Sequence, residues 1–148
     1  MSDMSDISDK SKKIGAITKF FAAYATHDLE GMREVLTDDV AWTIPGRHPL
    51  SGTKRGIEEV AAFFTELGRA GFQADPIFLE ANEEYVVDIH RGWSTEGVGQ
   101  VDTTWALVWH FNSEGRVDRV VNLSGDQHQM DEYVWNNHQP APTSESLA

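Results

Sequence analysis

Between Val101 and Asn112 the side chains change character at every second residue. Trp105, Leu107, Trp109 and Phe111 fall on one side, with Thr104, Ala106, Val108 and His110 on the other. A period of two belongs to a β-strand with one face on a core. Two tryptophans, a leucine and a phenylalanine on one face require a thick apolar layer opposite them. The first half of the chain supplies it at helical spacing. Ile14, Ile17, Phe21 and Tyr24 form one stripe, which Phe20 widens. Leu29, Met32 and Leu36 form a second short helix that Asp28 can cap. Ile57, Val60, Phe63, Phe64 and Leu67 form a third, between Gly56 and Gly71.

The strands come mainly in the second half. Val40 to Ile44 reads as a short strand ended by Pro45-Gly46, and a loop through His48 leads to the third helix. Phe72 to Ala81, Tyr85 to Thr95, Val101 to Asn112 and Arg116 to Ser124 read as four more strands. The turns between these four are short, so neighbours run antiparallel. The expected fold is α+β: three N-terminal helices on a curved, mostly antiparallel sheet, together a cone-shaped α+β barrel. Residues 1–13 read as a disordered leader, 14–138 as the domain and 139–148 as a disordered tail.

Charge and composition narrow the function. The 148 residues carry 12 Lys+Arg against 24 Asp+Glu, a net charge of −12. So acidic a chain repels phosphate backbones and anionic membranes, so neither nucleic acid nor membrane is expected as a partner. No cysteine is present, which removes thiolate metal sites and cysteine nucleophiles. No apolar run has the length of a membrane span or signal peptide, and the expected compartment is the cytoplasm. Six histidines fall in no compact metal-ligand spacing, and Gly97-x-Gly99 is a hairpin turn and no phosphate loop. Neither metal nor cofactor is expected.

Three strings carry a family resemblance: HDLEGMREVLTDDVAWTIPGRHPLSGTKRG from His27 to Gly56, then LVWHFNSEGRVDRV, then GDQHQMDEYVW. They resemble the nuclear transport factor 2-like superfamily, in its SnoaL-like and ketosteroid-isomerase-like branch. The resemblance implies a cone with a deep apolar pocket and often a homodimer through the sheet. It covers isomerases, dehydratases, polyketide cyclases, epoxide hydrolases and binding modules, so fold leaves function open. In the isomerase pattern, the base position falls on Ile44, the tyrosine position on Phe20 and the acid position on Leu107. All three are apolar, which argues against true ketosteroid isomerase chemistry. In the epoxide hydrolase pattern the polar positions fall on Trp42, Ile44, near His90 and Gly92, and near Asn122. That set is not retained either.

The remaining polar candidates are His90, Asn122 and Asp126. A histidine gives or takes a proton near neutral pH. His90 shares a strand face with Val86 and Asp88, whereas Tyr85, Val87, Ile89 and Trp93 form the more apolar face. Which face looks inward decides its role. Asn122 suits either a ligand carbonyl or a structural amide. Asp126 suits a base or orienting group at the mouth, or an N-cap, with Gln129, for a turn from Gln127 to Trp135. Phe20, Tyr24, Trp42, Ile44, Phe64, Trp105 and Leu107 are expected as pocket wall, with His128 at the surface or lining the mouth. His48 reads as an exposed loop histidine, with gating of the entrance as the alternative. The leading expectation is a cofactor-independent acid/base enzyme on a small apolar molecule, of isomerase, dehydratase, cyclase or hydrolase type. The alternatives are a non-catalytic small-molecule carrier and an interaction role for the outer sheet face.

Overall fold

A computed structural model describes residues 4–138 of the chain. Among the described residues four helices lie on one six-stranded sheet. In chain order the elements are α1 (Met4–Ala25), α2 (Leu29–Val35), β1 (Leu36–Ile44), β2 (Gly52–Arg55), α3 (Ile57–Arg69), β3 (Gln73–Ala81), β4 (Tyr85–Trp93), β5 (Asp102–Phe111), β6 (Val117–Ser124) and α4 (Gln127–Asn137). The sheet order is β2-β1-β6-β5-β4-β3, and the two outermost strands do not pair, so the sheet is an open, cone-like barrel. All neighbours are antiparallel except β1 and β6.

The α+β expectation holds, with four differences. Residues 4–13, expected as a disordered leader, are the first turns of α1. They hold no Pro or Gly to stop a helix propagating outward from the Ile17 face. Residues 1–3 and the expected tail, 139–148, lie outside the described residues. The first strand starts at Leu36 rather than Val40, because Leu36 leaves α2 in extended backbone (ψ 148°) and pairs with Val117. The segment expected as a loop before α3 holds β2. There Gly52, at φ 106°, lets the chain fold back so that Thr53 and Lys54 pair with Thr43 and Trp42. The turn expected after Asp126 is a full helix, α4.

The ladder places one set of side chains inward. Trp42, Val120, Trp109 and Val86 stand opposite one another across four strands. All four are fully buried or nearly so, under α1 and α3. Phe20 and Phe64 meet Trp42 from the helices at 5.8 and 5.0 Å between ring centroids. The next rungs carry Asn122, Leu107 and Asp88, then Ser124, Trp105 and His90. Side chains on one face of paired strands share that face. The β4 face holding Val86, Asp88 and His90 therefore turns inward with the tryptophans of β5.

Helix ends fix the walls around this face. In α1 the amides of Asp28 and His27 return to the carbonyls of Ala23 and Tyr24. In α3 those of Phe72 and Gly71 return to Leu67 and Gly68. Both are Schellman turns, whose key residue takes a left-handed conformation. Gly71 supplies it at φ 64° in α3, but in α1 the residue is His27 at φ 56°, a strained choice for a side chain with a Cβ. Strand β3 is a sheet edge. Pro76, with a register shift beside it, makes its open side a poor template for another strand.

Candidate active site

Two adjoining chambers lie beneath the helices. The inner one, about 70 Å³, is lined by rings of Phe20, Phe64, Trp42 and Trp105, with Leu107 and Asn122 on the sheet. The outer vestibule, about 440 Å³, lies between the ends of α1 and α3 and the strands β3 and β4. Phe21, Tyr24, Phe72, Gln73, Ala74 and His90 line both, so they stand at the neck where the two adjoin.

His90 carries the clearest chemistry. Its Nδ1 lies 2.7 Å from Asp88 Oδ1. Asp88 is 3% exposed, and its other oxygen accepts from Trp109 Nε1 at 2.6 Å. A buried carboxylate acts only as acceptor, so Nδ1 of His90 is the donor. A neutral imidazole then presents a bare Nε2 lone pair. That nitrogen has no protein partner among the described residues, while the ring lines both chambers and meets Phe21 edge-on at 5.6 Å. A histidine oriented by a carboxylate in this way is arranged to take and return a proton.

Tyr24 lines the same neck. Burial pushes its phenol up to about 12, so the hydroxyl keeps its proton at neutral pH and serves as a donor. Gly92 follows on the same strand face. A Cβ there would sit 2.8 Å from the Trp105 indole, whose Nε1 donates to the Gly92 carbonyl at 3.2 Å. Glycine thus lets that ring lie flat against the strand and line the inner chamber.

Of the residues expected at the site, His90, Asn122, Phe20, Tyr24, Trp42, Phe64, Trp105 and Leu107 line the inner chamber. Three do not line either chamber. Asp126 is an exposed N-cap whose carboxylate accepts from Gln129 N at 3.0 Å, the structural role its spacing allowed. His128 points to solvent with its side chain 92% exposed, near Glu132. Ile44 is 3% exposed and belongs to the core beyond the chamber. The carboxylate partner of His90 is Asp88 rather than Asp126. Its signal lay in the Asp88-x-His90 spacing, which puts both on one strand face.

His48 is buried, not exposed. Its Nδ1 accepts from Leu50 N at 3.1 Å, and its buried Nε2 has no hydrogen-bond partner among the described residues. Asp131 lies 3.8 Å away, outside bonding distance. Burial lowers its pKa below the ordinary 6.5. Asp131 opposes that shift, and Lys54 and His138 reinforce it. Below pH 6.5 the unfolded chain therefore binds this proton more readily than the folded one. Stability is expected to fall as the pH drops through 6.5 toward the lower folded value. Thermal unfolding at pH 7.5 and 5.5 checks this: His48→Gln should lose less on acidification than the wild type. An equal loss in both would remove His48 as the cause.

Among the described residues no three His, Asp or Glu side chains are grouped to hold a metal ion. Among the described residues no helix is long and apolar enough to cross a membrane.

A curved sheet under helices, with an aromatic chamber and polar groups on its floor, defines the class: an α+β cone fold of the nuclear transport factor 2-like superfamily. Residues 17–120 match the SnoaL-like domain, and the chain belongs to that family. It is 25% identical over 114 residues to the uncharacterized protein Rv0034 of Mycobacterium tuberculosis, covering 74% of this chain and 86% of the relative. Among solved structures it resembles Bal32a from a soil-derived mobile gene cassette, with a TM-score of 0.80 and 24% identity, over 85% of this chain and 98% of that one. It also resembles TerC, co-crystallized with polyporic acid, with a TM-score of 0.73 and 21% identity, over 83% and 98% of the two chains. These likenesses show the shared fold.

Proposed function

We propose that the protein is a cofactor-independent enzyme, acting in the cytoplasm, that moves a proton on a small, mostly apolar molecule held in the two chambers. The Asp88–His90 pair at the neck carries this reading. His90 Nε2 takes a proton from a carbon next to a carbonyl. The electron pair of that C–H bond moves into an enolate, whose oxygen accepts from the Tyr24 hydroxyl. The imidazolium, held by Asp88, returns the proton to the same or another atom. Isomerisation, dehydration and ring closure all begin with this step. Asn122, on the floor of the inner chamber, orients the substrate. Co-crystallization of TerC with polyporic acid supports a small-molecule role for this fold.

Hydrogen exchange tests the step directly. A naphthalene carrying a two-carbon arm that ends in a methyl ketone is incubated with the protein in heavy water, and deuterium uptake beside the carbonyl is followed by NMR. The wild type is expected to accelerate uptake, and His90→Ala to lose roughly a hundredfold of that acceleration. Equal rates for the two proteins would sink the catalytic assignment.

A second reading has its own observation. Phe20, Ile44 and Leu107, onto which the resemblance sets the catalytic positions of ketosteroid isomerases, are buried apolar residues. A carrier module accounts for that, and it predicts binding without exchange. A homodimer through the outer sheet face also belongs to our proposal. Val87, Ile89, Ala106 and Val108 are only half-buried there, and Leu123 is 44% exposed.

A further inference from the structure

The two chambers differ enough to specify a ligand shape and charge, an inference that rests on the reading that His90 faces a bound molecule. The inner chamber, at about 70 Å³, is roughly half the 150 Å³ void that holds a benzene ring. It has room for the short end of a molecule and not for a ring. The vestibule, at about 440 Å³, holds roughly two to three rings on the same scale. His90 and Tyr24, at the neck, stand where a short arm would join a larger body.

The lining also sets polarity. Among the described residues that line the two chambers there is no lysine or arginine. The one carboxylate, Asp88, is buried and turned to Trp109 and His90. Of the groups that can carry positive charge only His27 and His90 line the chambers, so a ligand carboxylate or phosphate entering here would be desolvated with no permanent cation to meet it, inside a protein of net charge −12. The Tyr24 hydroxyl, still protonated, offers a hydrogen bond that only an acceptor can use.

We propose that the site takes an uncharged molecule with a two- or three-ring apolar body in the vestibule and a short carbonyl-bearing arm in the inner chamber, its oxygen held by Tyr24 and its neighbouring carbon facing His90.

Isothermal titration calorimetry on the full chain tests this with one scaffold, a naphthalene on a two-carbon arm. The arm ends in a methyl ketone, a primary amide, a carboxylate, an ethyl group or a tert-butyl ketone. The amide and carboxylate share a shape and differ in charge, so the carboxylate is expected to bind at least tenfold more weakly. The ethyl compound should bind about fivefold more weakly than the methyl ketone. Tyr24→Phe should weaken the methyl ketone by that factor and leave the ethyl compound unchanged. The tert-butyl ketone, too wide for the inner chamber, should not bind measurably. A carboxylate as tight as the amide overturns the charge assignment. A tert-butyl ketone as tight as the methyl ketone overturns the placement of the arm. Silence from all five compounds overturns the pocket reading along with this one. The expected order of affinities, with hydrogen exchange unchanged in His90→Ala, would keep this inference and remove the catalytic one.

Discussion

Asp88→Ala is expected to lower the unfolding free energy by about 3 kcal/mol. The wild-type carboxylate is 3% exposed and accepts from two donors, Trp109 Nε1 at 2.6 Å and His90 Nδ1 at 2.7 Å. Removing it leaves both without a partner, and an unmet buried donor costs roughly 1–3 kcal/mol. Relief of the carboxylate's own desolvation offsets part of this. Urea denaturation at pH 7 measures the loss. Trp109→Phe removes one donor while keeping a ring, so the double variant should cost less than the sum of the two single ones by about 1 kcal/mol. Additive losses would mean that the indole and the carboxylate do not act together. Asp88→Asn keeps the shape but presents His90 with a group that can donate as well as accept. A change in the His90 tautomer, read by nitrogen NMR, is expected in that variant.

Trp42→Ala is expected to cost about 4 kcal/mol, in the upper range for emptying an aromatic site. Trp42 is 1% exposed and packs against Phe20, Phe64 and Trp109, with ring centroids 5.0 to 5.8 Å apart. Its indole N–H is buried and has no hydrogen-bond partner among the described residues. Trp42→Phe should therefore cost under about 2 kcal/mol, because the unpaired donor leaves together with the lost volume. Chemical denaturation of both variants gives the comparison. A phenylalanine variant as unstable as the alanine one would show that the indole N–H has a partner in solution, such as an ordered water.

Local patterns carried much of the fold. The stripe of Ile17, Phe20, Phe21 and Tyr24 and the alternation of Trp105 to Phe111 are set by backbone geometry within a few residues, so they survive in the sequence. Elements with weak local patterns were harder to see. Residues 4–13 have no apolar stripe, and β2 is four residues long and stands only because it pairs with β1. Segment α4 read as a capped turn, since its apolar residues form no sharp stripe.

The site divides in the same way. That Asp88 and His90 share a face follows from the period of two, and the family resemblance pointed to a pocket lined by Phe20, Trp42 and Trp105. The inward turn of His90 was not local information. By hydrophobicity alone, Tyr85, Val87, Ile89 and Trp93 made the better inner face. Pairing with β5 decided otherwise: Val86 stands opposite Trp109, Asp88 opposite Leu107 and His90 opposite Trp105. A strand must present the same face as its neighbour. The bulk of the β5 tryptophans, which only the helical layer can bury, therefore fixed the orientation of β4. Asp126, 36 residues beyond His90 in the chain, was left at the start of α4 as a cap. Sequence by itself determined the faces of each element, because side-chain direction depends on the local backbone. Tertiary structure alone decided which faces meet, because that depends on partners far away in the chain.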